Sequence, residues 1–300
     1  MSFSSETKAE LCRDKLNHLE CAQAEAYGVL LFCNVFTPWE VRVTTRSPDF
    51  AQRLPRLFQR AFDLTFDHVP GQSSQGKRSF LCEDRAKIAR MLDTFGYSAE
   101  TAAAQHINFA VLEEPETKAA FLRGAFLAGG SVTDPRKRYH LEIATTHFYV
   151  HRELQALLPE LDLRPKETTR KANYITYFKQ SEAIEDLLTT IGAPQAAMEV
   201  MNAKVEKNVM NSVNRRLNCD VANVDKAVQA AQSQIEAIRR LERRGELAEL
   251  PAKLRETAAL RMENLELSLS QLAELCDPPV SKSCLNHRLR RLTALGEETE

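Results

Sequence analysis

The sequence states one pattern twice, and a chain that repeats itself must build two copies of one supersecondary unit. Residues 24–36, AEAYGVLLFCNVF, return at 118–132 as KAAFLRGAFLAGGSV, with Gly28 and Gly124 standing 96 positions apart. Residues 79–96, SFLCEDRAKIARMLDTFG, return at 175–192 as ITYFKQSEAIEDLLTTIG, again at a spacing of 96. Between these blocks WEVRVTTRSPDFAQRLPRLF (39–58) is similar to YHLEIATTHFYVHRELQALL (139–158), displaced further by the insertion DPRKR at 134–138.

Each copy switches periodicity in the same order. An apolar, helix-like segment leads into an alternation, Val41/Val43 or Leu141/Ile143, which predicts a strand. An amphipathic helix follows, marked by Phe50, Leu54, Leu57 and Phe58, or by Phe148, Leu154, Leu157 and Leu158. Two more short strands are predicted near 63–69 and 77–82, and near 161–170 and 174–179, with Gly71 and Asn173 in the turns. A closing helix ends at Gly96 or Gly192, where glycine suits the left-handed position past a helix C-terminus. The order α-β-α-β-β-α, run twice, predicts an α+β domain over about 1–200, with repeats over about 1–96 and 97–192. Gly28, Gly124 and the small Cys33 predict a close approach between two helices.

From about residue 194 the pattern is helical. The asparagine-rich NVMNSVNRRLNCDVANV (208–224) reads as a linker or exposed surface, so a linker is placed at 201–217. A helical domain is expected over 218–300. Val224, Val228, Ala231, Ile235 and Ile238 mark its first helix, stopped by Gly245, and Pro251 suits the first turn of the next, which carries Leu254 and Ala258. Residues 268–295 then read SLSQLAELCDPPVSKSCLNHRLRRLTAL. Ser268 with Gln271 is a capping box, Pro278-Pro279 forces a turn, and Ser281 caps a second helix.

Leu285, Leu289 and Leu292 line one side of that second helix. At about 100° per residue, Ser283, Asn286, His287, Arg290 and Arg291 fall on the other. Residues 281–295 hold Lys282, Arg288, Arg290 and Arg291 with no acid, in a chain whose net charge is only -1. A recognition helix in a DNA major groove uses such a face, because Asn and Arg pair with base edges while flanking cations hold phosphates. A solvated basic face on a three-helix bundle is the competing reading.

Other classes find no support. The seven cysteines are an odd number with no CxxC pair, against both a zinc cluster and a disulfide framework. There is no GxxxxGK[ST] and no GxGxxG. No apolar run approaches the ~20 residues of a membrane span, and the charged N-terminus is no signal peptide, so a cytoplasmic protein is expected. His106, His140 and His147 lack Cys or Asp at ligand spacing and read as surface or core histidines.

With both halves in view, the chain resembles the WhiA family of bacterial regulators over essentially its full length. The resemblance is carried by FLRGAFLAGGSVTDP (121–135), YHLEIATT (139–146), NSVNRRLNCDVAN (211–223) and DPPVSKSCLNHRLRRL (277–292). It implies an α+β two-repeat domain with the fold of LAGLIDADG homing endonucleases, followed by an all-α helix-turn-helix domain at 268–295. It further implies transcriptional control tied to sporulation, cell division or chromosome segregation. The first copy's AYGVLLFCNVF departs most from the family pattern.

Active homing endonucleases place an acid at the end of each of two paired helices, to hold the metals that activate water. Laid over LRGAFLAGG (122–130) the signature puts that acid at Gly129, and over AYGVLLFCN (26–34) at Cys33. Neither is a hard oxygen ligand. Asp134 stands as a displaced candidate, with nothing equivalent in the first copy before Glu40. The strand regions carry Arg42 and Arg46, then Arg136, Lys137, Arg138, Lys166, Arg170 and Lys171, of which Arg170 and Lys171 are the candidate phosphate contacts. Edge-strand cations that guard against aggregation are the plainer reading.

The expected function is therefore a non-enzymatic, sequence-specific regulator associated with the nucleoid. It reads DNA through Ser281, Lys282, Ser283, Asn286, His287, Arg288, Arg290 and Arg291, with no catalytic residue, metal or cofactor. Its expected partners are double-stranded DNA and, beyond it, other regulators or RNA polymerase. A nuclease or RNA-processing protein with displaced acids, and a protein scaffold that binds DNA only at its C-terminus, are the alternatives.

Overall fold

The computed structural model describes residues 2–71, 76–97 and 105–298. It divides into two compact units, Met1–Asn208 and Val209–Glu300. In the first, α1 (Phe3–Leu11) precedes one copy built from α2 (Leu19–Phe32), β1 (Val35–Phe36), β2 (Val41–Thr45), α3 (Pro48–Phe62), β3 (Arg78–Cys82) and α4 (Arg85–Thr94). The second copy comprises α5 (Pro115–Gly129), β4 (Gly130–Val132), β5 (Leu141–Thr145), α6 (Phe148–Leu157), β6 (Lys166–Arg170), β7 (Asn173–Phe178) and α7 (Ser181–Ile191).

The strands form two antiparallel sheets, ordered β1-β2-β3 and β4-β5-β7-β6. Equivalent registers pair Val41 with Cys82 in one and Leu141 with Phe178 in the other. Alternation places Val41 and Val43, or Leu141 and Ile143, in the core and turns Arg42 or Glu142 to the opposite face. Gly96 and Gly192 both adopt the left-handed conformation beyond their helices, with φ of 73° and 94°.

Two expectations need correction in strand placement. Residues 63–69 do not form a strand: His68 makes one isolated bridge to Leu81. Asp67 instead accepts the amides of Glu83 (2.7 Å) and Asp84 (2.9 Å) and pairs with Lys87 at 2.5 Å, which turns the segment toward α4. Pro70, with no amide hydrogen, is unsuited to extend a ladder. Asn173 is not a turn residue but opens β7 opposite Arg170, the turn falling on Lys171 at φ 58°.

The core is built around the pair α2 and α5. In α2 every residue from Ala24 to Phe32 is buried, so it is enclosed on all sides. A Cβ on Gly28 would lie 2.1 Å from the Phe121 carbonyl oxygen, and one on Gly124 would lie 2.0 Å from that of Glu25. Both obstacles are backbone, so the helices cross at this distance only with glycine on each side.

Beside this crossing lies a buried ion cluster that the sequence pattern did not disclose. Glu25 and Arg53, both 1% exposed at the side chain, face each other in a fork, with Nε–Oε1 at 2.6 Å and Nη2–Oε2 at 2.7 Å. Arg53 also donates to the Asp14 carbonyl at 2.6 Å. Arg123 approaches Glu25 at 3.4 Å, pairs with Asp14, and donates to the Ile191 carbonyl at 2.7 Å. One carboxylate thus ties α2, α3, α5 and the end of α7 together.

The expected linker at 201–217 is helical. It lies within α8 (Pro194–Arg244), and every residue from 208 to 230 is exposed. Among the described residues no helix is long and apolar enough to cross a membrane.

Two outcomes follow. Gly124→Ala, and Gly28→Ala separately, should each lower unfolding free energy by about 3 kcal/mol, the upper part of the usual range for an overpacked core. Denaturant midpoints at unchanged m-value check this. Glu25→Gln should cost about 3–5 kcal/mol by stranding the buried Arg53 charge. The double variant Glu25→Leu/Arg53→Met should lose less than the two single losses added, as a double-mutant cycle would read.

Candidate nucleic-acid interface

The second unit folds around α9 (Ala252–Glu263), α10 (Leu269–Glu274) and α11 (Lys282–Glu297), packed on the C-terminal part of α8. Its start and stop signals operate as local chemistry dictates. Ser268 and Gln271 make the reciprocal capping box, and Ser281 Oγ accepts from the Cys284 amide at 3.2 Å. The turn between α10 and α11 is pinned by the Val280 amide on the Ala273 carbonyl at 3.0 Å. Leu285, Leu289, Leu292 and Gly296 form the buried side of α11. The three leucines meet Ile238, Leu241, Leu254, Leu272 and Cys276 in one apolar cluster, and Gly296 lies against Ala237. At the far end Arg244 donates to the carbonyls of Leu295 and Glu298, both left open by the helix terminus.

The opposite side of α11 is polar. Ser281, Lys282, Ser283, His287, Arg290 and Arg291 are exposed. Asn286 and Arg288 are half-buried, which corrects the expectation that Asn286 stands on the open face. The buried leucines extend far enough round the helix to bring positions 286 and 288 to its two rims. His287 occupies the middle of the open side, flanked by Ser283 and Arg290. Among the described residues, none of Lys282, Arg288, Arg290 and Arg291 forms an ion pair. The cations of this helix remain available to an anionic partner.

The sheets present a different balance. Arg170 is exposed but pairs with Glu142 at 2.9 Å, and Glu142 also faces His140 at 3.2 Å. Burial tends to raise the Glu142 pKa, but the hydrogen bonds from His140 and Arg170 outweigh it and hold the carboxyl below its ordinary range. In the first sheet Arg42 is paired with Glu40. Lys171, Arg46, Lys166, Arg136, Lys137 and Arg138 are exposed, and none of them is in an ion pair among the described residues. Of the two candidate phosphate contacts, Lys171 is free and Arg170 is engaged.

The two positions that the resemblance aligns with nuclease acids, 33 and 129, are tightly packed. A Cβ on Gly129 would stand 2.6 Å from the Ala144 carbonyl oxygen, so no side chain fits there. The Cys33 thiol donates to the carbonyls of Leu30 and Val35, both at 3.1 Å, and burial pushes its pKa up to about 12. Asp134 caps its own turn, accepting the Arg136 amide at 2.9 Å. These residues do not fit a divalent-metal site. The histidines are also apart: His140 lies against Glu142, while His147 begins α6.

Comparison with known proteins agrees with this architecture. The family model for the WhiA C-terminal HTH domain matches residues 213–296, and that for the WhiA LAGLIDADG-like domain matches residues 118–210. A probable cell division protein WhiA from Ruminiclostridium cellulolyticum is 36% identical, covering 99% of this chain and 97% of its own. Its counterpart from Staphylococcus aureus (strain Newman) is 33% identical over 99% of this chain and 97% of its own. The crystal structure of full-length DUF199/WhiA from Thermatoga maritima superposes with a TM-score of 0.59 at 25% identity, covering 99% of this chain and 98% of that one. The chain belongs to the WhiA family, with a LAGLIDADG-like domain followed by a C-terminal helix-turn-helix DNA-binding domain.

Proposed function

We propose that this chain is a sequence-specific regulator of transcription that binds double-stranded DNA through α11 and does not cleave it. The observation that carries this reading is the open side of α11, where Lys282, Arg290 and Arg291, without carboxylate partners among the described residues, stand around Ser283 and His287. Arg290 reads a base edge, Asn286 contributes from the rim, and Ser281, Lys282, Arg288 and Arg291 hold backbone phosphates. In the first unit Lys171 adds a phosphate contact, and Arg170 joins it by exchanging Glu142 for the phosphate. Relatives named as probable cell division proteins support a role in cell division, and chromosome segregation or sporulation belongs to the same proposal. The regulator acts at the nucleoid, with other regulators or RNA polymerase as its protein partners.

A site selected from a random duplex pool and a scrambled duplex serve as the two ligands of the test. Arg290→Ala should cost about 1–3 kcal/mol on the selected site and little on the scrambled one. Leu289→Ala, at a position with 0% exposure, should destabilise the small unit by about 2–5 kcal/mol and weaken both interactions together. An Arg290→Ala protein that keeps the wild-type ratio of the two affinities, measured at one salt concentration, sinks the assignment of α11 as the reading helix.

Nuclease chemistry is the second matter to settle. Supercoiled plasmid incubated with the full chain in Mg²⁺ or Mn²⁺ should remain intact. The motivation is the pair Cys33 and Gly129 at the two acid positions. Metal-dependent nicking that disappears in Asp134→Ala would instead establish a nuclease with a displaced acid.

A further inference from the structure

The chain has a single tryptophan, and it stands at the rim of a cavity. Trp39 is 59% exposed. Yet its turn is well held: Thr37 Oγ1 accepts the amides of Trp39 (3.3 Å) and Glu40 (3.0 Å), and the Thr37 amide donates to the Glu40 carbonyl at 2.9 Å. The Arg85 guanidinium lies over the ring, 5.9 Å from its centroid, and more than half of the residue stays open to a stacking partner. The cavity, of about 590 Å³, lies just past the C-terminal end of α2 and is bounded in part by Asn34, Phe36, Glu40, Gln105 and His147. Its volume is in the range of small-molecule sites.

The polar lining of this cavity is unfinished. Gln105 is 7% exposed, and its Nε2 donates to the Phe36 carbonyl, which fixes the orientation of the amide. Its Oε1 is buried and has no hydrogen-bond partner among the described residues. Asn34 Oδ1 accepts the Thr44 amide at 2.9 Å, leaving its side-chain nitrogen to donate. The His147 ring makes no hydrogen bond among the described residues. Burial holds its pKa below the ordinary value, so near neutral pH it offers one donor and one acceptor. Glu40 is neutralised by Arg42.

We infer that this cavity binds a nucleobase, stacked on Trp39 and hydrogen-bonded to Gln105, Asn34 and His147. The charge balance disfavours an anion as the anchored group: Glu40 is paired with Arg42, none of the described lining residues is a cation, and Arg85 is engaged over the Trp39 ring instead of pointing a charge at the polar edge. The buried Gln105 oxygen requires an N–H donor, and the exposed Asn34 amide and half-buried imidazole offer further hydrogen bonds beside it. A flat ring with donors and acceptors along one edge and an apolar face meets all these demands. The base comes either from a free nucleoside or from a nucleotide swung out of a duplex, which presents the same edge.

Because Trp39 is the sole tryptophan, its fluorescence reports this cavity. The full chain is titrated with adenosine, guanosine, cytidine and uridine, and separately with a duplex carrying one unpaired base against its fully paired counterpart. Saturable quenching is expected from at least one nucleoside, or from the unpaired-base duplex beyond the paired one. Gln105→Met and His147→Ala should each raise the midpoint about tenfold, the loss of roughly one hydrogen bond. His147→Ala removes a ring that bonds to nothing described, so its thermal melt should match the wild type even if Gln105→Met proves unstable. A response to free nucleosides identifies a soluble ligand, and a response to the unpaired-base duplex alone identifies a base of DNA. No quenching in either arm, or quenching whose midpoint His147→Ala leaves unchanged, overturns the inference.

Discussion

The first unit depends on two helices whose point of closest approach has a glycine on each side. Gly28 and Gly124 bring the backbones of α2 and α5 so near that a methyl group on either would meet a carbonyl of the other helix. A pair held this close makes the two copies one body, since each copy contributes one of the helices. The sheets, continuing from the helix ends, are then set by that crossing. Gly129 belongs to the same constraint, because α5 leaves the crossing against the backbone of β5 at Ala144. Gly129 is thereby a packing position, closed to any larger side chain.

The close approach also explains why a charged cluster is tolerated in the core. Arg123 adjoins Gly124, and Glu25 is the residue whose carbonyl faces that glycine. Isolated, the buried carboxylate of Glu25 would be costly; with the Arg53 fork and Arg123 it is compensated on both oxygens. Such a network contributes modest net stability, but it admits few alternative packings. It joins elements whose residues lie 28 and 98 positions apart.

The cations of the two units differ in one respect: two of the sheet arginines are paired with carboxylates and none of those on α11 is, among the described residues. On α11 the basic side chains have no acidic partners among the described residues, so an anionic ligand displaces water from them and competes with no carboxylate. In the sheets Arg42 and Arg170 are matched by Glu40 and Glu142. A phosphate approaching those two must compete with an existing carboxylate, which weakens the electrostatic gain. Among the described residues, unpaired cations thus stand on α11 and also at Lys171, Arg46, Lys166, Arg136, Lys137 and Arg138 of the first unit, although the whole chain is nearly neutral.

Much of this was legible in the residues because it is local. Strand alternation, the capping serines at 268 and 281, the left-handed glycines at 96 and 192, and the leucine side of α11 each depend on neighbours within a turn or two. The repeat itself was visible because two copies of one unit obey the same periodicities, and the glycine pair marked the crossing before any contact was known. The sequence by itself determined these elements, their order and the absence of acids at 33 and 129. Only the tertiary structure decided that 63–69 is drawn toward α4 by Asp67, that Arg170 is neutralised by Glu142, and that Asn286 lies on a rim. It alone set Gln105 and His147 around one cavity with Trp39. The physical reason is common to all of them: a side chain's partner, its burial and its free hydrogen-bonding atoms are set by segments distant in the chain, and no periodicity records which segments will meet.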